Sequence, residues 1–334
     1  MELTVAFDGK KILITGGLGF IGSALARSLV NAGADVTLMD SLIPEYGGNL
    51  FNIDDIKDKV QVNISDVRDP FAMAYLLQGK EFLFNLAGQT SHIDSMNDPI
   101  TDLNINAAAQ LSILEACRKH NPSIKIVFAS TRQLYGKPEY LPVDERHPVH
   151  PVDVNGINKL AGEWYHILYN NVYGIRTCAL RLTNTYGPGM RVKDARQTFL
   201  GIWLRNLIEG KPILVFGDGK QLRDFNYVDD VVEALLMSAI SDNANGKIFN
   251  LGSNEIIDLR SLANMVTGMQ KNGRYEVVPF PPERKAIDIG DYYSDYMKIN
   301  NALGWEPKIF LKDGLRKSIE YYAANHAHYW EYSE

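Results

Sequence analysis

The stretch LITGGLGFIGSAL places Gly16, Gly19 and Gly22 directly behind a short apolar run and ahead of an amphipathic one. A pyrophosphate needs backbone N–H groups and a helix N-terminus at close range, with no Cβ in the way. Phe20 and Ile21 complete the turn between Gly19 and Gly22 and belong to the same binding surface. Asp40 ends the next apolar run, about twenty residues on, where a carboxylate can accept hydrogen bonds from both ribose hydroxyls. The same carboxylate would repel a 2′-phosphate, so the turn predicts NAD rather than NADP.

Such a turn works only between a buried strand and a helix. KILITGG, DVTLMD, FLFNLAG and KIVFAS read as short buried strands. GSALARSLVNAG and the longer ITDLNINAAAQLSILEACRKH carry apolar residues at helical spacing. Strands alternating with helices build parallel βαβ units with right-handed crossovers. The predicted fold class is therefore α/β: a Rossmann-type, doubly wound parallel sheet with a smaller C-terminal α/β part that binds substrate. From about Leu180 the rhythm changes, with strand candidates ILVFG and KIFNLG among the helical stretches TFLGIWLRNLIEG, VDDVVEALLMSAI and LRSLANMVTGM. Residues 1–180 are expected to hold the cofactor and 181–334 mainly the substrate, with roughly 222–252 rejoining the first part.

The 334 residues, 46% apolar and 22% charged, suffice for one large α/β domain or a large domain with a smaller companion. The net charge of −6 comes from interspersed acids and bases, and no basic block suggests a nucleic-acid or membrane-surface partner. The first apolar run is short and ends in glycines, as a buried strand does and a signal peptide or spanning helix does not. Cys117 and Cys178 sit in apolar contexts and read as small core residues rather than a disulfide or zinc site. No metal is expected, and a cytoplasmic protein is the default.

Further motifs follow in order: DVRD at Asp66, FNLAGQTSH, ASTRQLYG, LRLTNTYGPG, RDFNYVDD and NALGWEPK. Together with TGGLGFIG they resemble the extended short-chain dehydrogenase/reductase superfamily, above all its NAD-dependent nucleotide-sugar epimerases and dehydratases. The resemblance covers nearly the whole chain. It implies that Asp66 and Val67 lie beside the adenine and that Leu86, Ala87 and Gly88 line the nicotinamide ribose. Such enzymes begin by oxidising a sugar hydroxyl, and a base must take the hydroxyl proton as hydride leaves. In the family a tyrosine does this, activated by a lysine one helical turn later that also holds the ribose. A serine or threonine hydrogen-bonds the reacting oxygen. Here Lys159 matches the lysine and Thr131, rather than Ser130, matches the hydroxyl; the tyrosine position is Asn155.

An amide does not shuttle a proton at neutral pH. Another group could take the proton: Lys159, His92, Asp153, Tyr135 or a water held by Asn155. Alternatively, the reaction starts from a more acidic substrate proton or uses the cofactor in an unusual cycle. In a third reading catalysis is lost and the chain is a regulator that binds NAD or a nucleotide sugar. Retention of Asp40, Thr131, Lys159 and the substrate-side motifs favours catalysis. Asp153 is also well placed to cap the helix that carries Asn155 and Lys159.

In the family's 4,6-dehydratases an Asp–Glu pair follows the hydroxyl residue and eliminates water; here the pair is Arg132 and Gln133. The expected reaction is therefore epimerisation, most simply at C4 through a transient keto sugar. Dehydratase, decarboxylase and dehydrogenase chemistry are the alternatives. Arg132 reads either as a surface or interface cation or as a contact for an acidic sugar or a phosphate. Asn184 and Arg223 match family residues at the substrate diphosphate, Arg284 sits near another phosphate or ribose contact, and His92 belongs to the substrate side. The basic loop that begins at Arg191 is a plausible lid, with Gln197, Thr198 and Phe199 turned toward the base. Gly187 and Pro188 read as turn punctuation. The expected partner is a nucleotide-diphosphate sugar. The two long helices match those that form a four-helix dimer interface in relatives, so a homodimer is expected.

Overall fold

The computed structural model describes residues 2–43, 45–194 and 198–331. Seven strands form its main sheet: β1 Lys11–Thr15, β2 Asp35–Asp40, β3 Val60–Ile64, β4 Phe82–Asn85, β5 Lys125–Thr131, β6 Thr177–Leu182 and β7 Ile248–Asn250. They lie in the order β7-β6-β5-β4-β1-β2-β3, and every pairing is parallel. Ile12, Leu13 and Ile14 of β1 have no exposure, and β5 is buried along almost its whole length. Parallel strands covered by helices on both faces need such continuous apolar runs rather than alternation. β3 was not among the expected strands. It is the edge, with Gln61, Val62 and Ile64 open to solvent, and its mixed letters carry no buried run.

Successive side chains of a strand point to opposite faces, which splits the core in two. Ile12, Ile14 and Phe84 pack on one face with Leu25, Val231, Leu235 and Trp305. Leu13 and Leu83 pack on the other with Ile113, Leu114 and Cys117. The first cluster runs on into the C-terminal residues Leu315 and Tyr322, so the smaller part shares its core with the sheet. Both cysteines are buried and unpaired.

Five helices position the site. α1 Phe20–Asn31 follows the glycine turn, and α2 His92–Asn97 and α3 Pro99–Leu103 follow β4. A π turn, Asn104–Ala108, then leads into α4 Ala109–His120. The single long helix read from ITDLNINAAAQLSILEACRKH thus contains a widened turn, and Gln110 donates its side-chain amide to the Ile105 carbonyl at 3.0 Å within it. π turns of this kind concentrate at functional sites. α5 Val154–Tyr173 starts where expected, because the Asp153 carboxylate accepts from Gly156 N at 2.7 Å. It ends at Gly174, in a left-handed conformation that a side chain would disfavour.

β1 neighbours β2 on one side and β4 on the other, so the chain reverses direction across the sheet at β1. A crevice opens outside the strand ends at such a switch point. Short strand pairs from the C-terminal part complete the frame: Asn184–Tyr186 with Phe225–Tyr227, Leu222–Arg223 with Ile257–Asp258, and Ile213–Phe216 with Tyr275–Val278.

Candidate active site

The crevice is a cleft of about 820 Å³ that runs from the glycine turn, past the ends of β4 and β5, to residues of the C-terminal part. At one end Gly16 adopts φ +69°, and a Cβ there would stand 3.1 Å from Ala87 backbone. A Cβ on Gly22 would meet the Gly16 carbonyl oxygen at 2.1 Å. Only glycine allows this close approach, and the cradle so formed suits a dinucleotide pyrophosphate. Gly19, Phe20, Ile21, Val67, Leu86, Ala87 and Gly88 line the same cleft. Asp40 lines it too, while accepting from Leu18 N at 3.0 Å and Leu42 N at 2.9 Å. Burial raises its pKa, against the pull of those amides. Asp66 is gripped by Arg68 at 2.9 and 2.6 Å, and that guanidinium holds its carboxyl below the usual range.

At the end of β5, Thr131 faces the cleft and its hydroxyl accepts from Gln133 N at 3.2 Å. Ser130 is committed elsewhere: it donates to Glu163 at 2.7 Å, within a buried network in which Arg181 clasps the same carboxylate at 2.9 and 2.6 Å. This network ties β5, α5 and β6 together directly behind Thr131. Lys159 on α5 is buried and donates to the Ala129 carbonyl at 3.2 Å. Burial takes its pKa down to about 8, with Asp102 opposing the shift. A Cβ on Gly88 would stand 2.7 Å from Lys159 Nζ and 2.9 Å from Asn106 Oδ1, so a larger residue there would displace these side-chain ends.

Asn155 lies one turn before Lys159, at the edge of the cleft, and is 2% exposed. Its amide donates to the Gln89 carbonyl at 2.8 Å and to Asp102 Oδ2 at 3.0 Å, with Gln89 Oε1 at 3.3 Å. Asp102 has no exposure and accepts also from Asn106 at 3.0 Å and Asn158 at 2.8 Å. A buried carboxylate is tolerated only with such donors around it. Asn155 is thus one of three amides that solvate a buried charge. Asp102 and Gln89 were not among the expected site residues. The available signal was Asp102 and Asn106 one turn apart on the same helical stretch.

The other proton-carrier candidates separate clearly. Tyr135 is excluded: it lies outside the cleft with no exposure, donating to Asn250 at 2.7 Å and accepting from Arg181 at 2.5 Å. Burial pushes its hydroxyl far above the ordinary tyrosine range. Asp153 is spent on capping α5 and on Gln133 Nε2 at 2.9 Å. Burial pulls its pKa up, but the His92 ring and the amide donors together hold the carboxyl below its usual range. His92 lines the cleft with a side chain 34% exposed, and its Nδ1 stands 3.0 Å from Asp153 Oδ2, near enough to pair but out of line for a hydrogen bond.

On the substrate side, Arg132 is set into the cleft wall rather than standing as a surface cation. It donates to Asn184 Oδ1 at 3.0 Å and stacks 4.9 Å from the centre of the Tyr292 ring. Its buried Nη1 has no hydrogen-bond partner among the described residues. Burial lowers its pKa. Arg223 donates to the carbonyls of Leu222, at 2.8 Å, and Gly290, and lies 3.7 Å from Asp288. Burial, and then the neighbouring Arg132 charge, bring it down to about 10. A buried guanidinium depressed by a neighbouring guanidinium suits the approach of an anion. Arg284 lines the cleft 5.6 Å from the Phe216 ring. Arg191 is a correction: it turns to Asp194 at 2.9 and 2.6 Å, and it is not among the described residues that line the cleft. Thr198 caps the helix α6 Phe199–Ile208 and lines the cleft with Phe199, whereas Gln197 lies outside the described residues.

Residues 12–252 match the profile of the NAD dependent epimerase/dehydratase family. A Methanocaldococcus jannaschii protein provisionally named UDP-glucose 4-epimerase is 34% identical over 328 residues, covering 94% of this chain and 99% of its own. UDP-glucose 4-epimerase of Mycolicibacterium smegmatis is 30% identical over 313 residues, with 93% and 98% covered. Among solved structures, UDP-glucose 4-epimerase of Thermotoga maritima with UDP-glucose superposes with a TM-score of 0.86 at 30% identity, over 95% of this chain and 99% of the other.

Proposed function

The chain belongs to the NAD dependent epimerase/dehydratase family, and from that premise we propose that it is a nucleotide-sugar epimerase, acting most simply at C4 through a transient keto sugar. Its cofactor is NAD, which when bound supplies the hydride acceptor and donor. The observation that carries the reading is the wall just after Thr131. It presents Arg132 and Gln133, where water elimination would require a carboxylic acid and a carboxylate. Epimerisation needs no such pair: the keto sugar turns over in the site and takes hydride back on its other face.

The chain's residues divide accordingly. Gly16, Gly19, Phe20, Ile21 and Gly22 receive the pyrophosphate, Asp40 the adenosine ribose, and Asp66 with Val67 the adenine. Leu86, Ala87 and Gly88 flank the nicotinamide ribose, which Lys159 holds with its ammonium group. Thr131 hydrogen-bonds the reacting sugar oxygen. Arg223, Arg284 and Asn184 take the diphosphate, and Thr198 and Phe199 approach the base. Arg132, with one free Nη1 over the sugar end, favours a sugar that carries a carboxylate. A homodimer is supported by the outer face of α5, where Ile157, Trp164, Leu168 and Val172 are 50–60% exposed in one apolar stripe.

The test is to incubate the protein and NAD with UDP-, dTDP-, GDP- and CDP-sugars, neutral and acidic, and to identify products by NMR while following NADH absorbance. A C4 epimer with no net NADH is the expected result. A 4-keto-6-deoxy sugar or released carbon dioxide would move the assignment to a dehydratase or decarboxylase. Absence of any conversion would favour the regulator.

A further inference from the structure

We propose that His92, oriented by Asp153, is the proton carrier of this site, in the role for which Asn155 is unsuited. The inference rests on the epimerase reading above and deepens it.

The first observation is the lack of a free proton acceptor around Asn155 among the described residues. Its amide is consumed by Gln89 and Asp102, Tyr135 is outside the cleft, and Lys159, donating to Ala129, is a cation below about pH 8 with no lone pair to accept a proton. The second is where His92 stands. α2 packs against the start of α5: Ser95 accepts from Asn155 N at 3.2 Å and donates to the His92 carbonyl at 2.7 Å. The His92 ring is thereby held beside position 155 and opens into the same cleft as Thr131 and Lys159.

The third observation is the ring's polarity. Nδ1 is buried and stands 3.0 Å from Asp153 Oδ2, out of line for a hydrogen bond in the resting arrangement, and no hydrogen bond to Nε2 is found among the described residues. A carboxylate this close needs only a turn of the ring to accept from Nδ1–H, which would keep the proton there, leave the other nitrogen as the base, and stabilise the imidazolium once it forms. Asp153 can do this because Gly156 N and Gln133 Nε2 already anchor it. Asp153 is a positioning residue, and Gln133 supports it from β5's end. In the forward half-reaction the sugar O–H proton would pass to His92 Nε2 as the hydride of the same carbon is accepted by NAD, so that the sugar O–H and C–H bonds break while a C=O, an N–H and the new C–H of the reduced cofactor form. In the return half the imidazolium hands the proton back as hydride re-adds, so protons and electrons balance over the cycle.

The experiment uses the NAD-loaded protein with UDP-galactose and UDP-galacturonate as probes. His92→Gln is expected to lower kcat by about 100-fold or more, the usual worth of a positioned base, with the melting temperature unchanged and the Kd for the probe altered far less than kcat. His92→Ala is expected to regain turnover when imidazole is added, which a merely structural role would not give. Independently of activity, ¹⁵N NMR of the NAD-free protein should show the His92 proton on Nδ1 at neutral pH, and Asp153→Asn should abolish that preference. Turnover at the wild-type level in His92→Gln, failure of imidazole rescue, or a proton on Nε2 would each overturn the proposal while leaving the epimerase reading intact. A wild-type protein that converts no nucleotide sugar would instead overturn the reading beneath it.

Discussion

Replacing Asn155 by tyrosine introduces the residue that the family resemblance leads one to expect there, and the surroundings of position 155 predict that it harms the protein. The substitution removes the donor to Asp102 at 3.0 Å and to the Gln89 carbonyl at 2.8 Å. A hydrogen bond to a charged group contributes about 1.5–3 kcal/mol, and a buried acceptor left without its partner costs about as much. Asn106 and Asn158 still serve Asp102, so the carboxylate is not orphaned and the loss stays near the lower end. The larger ring must also enter a site that is 2% exposed, and overpacking adds about 1–3 kcal/mol. The expected destabilisation is about 2.5–4.5 kcal/mol, without a gain in turnover. Urea unfolding followed by tryptophan fluorescence and circular dichroism measures it, provided the two transitions coincide. Pairing Asn155→Tyr with Asp102→Asn in a double-mutant cycle isolates their coupling, expected at about 1 kcal/mol or more. A variant within about 0.5 kcal/mol of wild type, the range of an ordinary surface change, together with faster epimerisation would refute a structural role for Asn155 and mark the site as a degraded tyrosine site.

Lys159→Met tests the buried ammonium through pH. The folded-state pKa is lowered from 10.5 to about 8, so the unfolded chain binds the extra proton between those values. This group's contribution to stability therefore rises with pH across that window, and below about pH 8 the burial cost stands in full, about 3 kcal/mol. The stability advantage of Lys159→Met over wild type should shrink from pH 7 to pH 10 by roughly that amount, measured by urea unfolding of the cofactor-free protein. Arg132→Gln should cut kcat/KM for an acidic sugar by about 10–100-fold, the loss of a charge-assisted contact worth roughly 1.5–3 kcal/mol, and leave a neutral sugar nearly unaffected; equal losses for both would place Arg132 at the diphosphate. Trp164→Glu combined with Leu168→Glu should convert a dimer into a monomer in light scattering without lowering the monomer's helicity.

What was legible in the sequence was chemistry that depends on neighbours along the chain. The glycine turn, its strand and helix, Asp40 at the end of β2 and the Asp153 cap all follow from letters within a few residues of one another. β3 escaped because an edge strand need not be apolar, and Val60–Ile64 is a strand only by virtue of pairing with β2. Arg191 shows a related limit: a cation in a basic loop suggests an external anion, but its guanidinium pairs with Asp194, three residues on. The network around Asn155 was least legible, since Gln89, Asp102 and Asn155 come from three separate segments and meet only once the π turn and α5 are packed.

That difference bears on how a missing catalytic letter is to be read. From the sequence, Asn155 differs from tyrosine only by what it lacks, a group that carries a proton. In the fold it has a positive function that tyrosine could not perform: its amide supplies a donor to a carboxylate of zero exposure, where a phenol's single hydroxyl cannot serve both Gln89 and Asp102. A site that had merely decayed would not be expected to keep three amides converged on one buried acid, because each unsatisfied partner would weaken the fold. The buried acid in turn opposes the loss of charge at Lys159, so the residue at 155 acts on the lysine one turn away through Asp102. The geometry thus gives position 155 a part in the electrostatic support of its own helix, and the proposed proton carrier, His92, lines the same cleft.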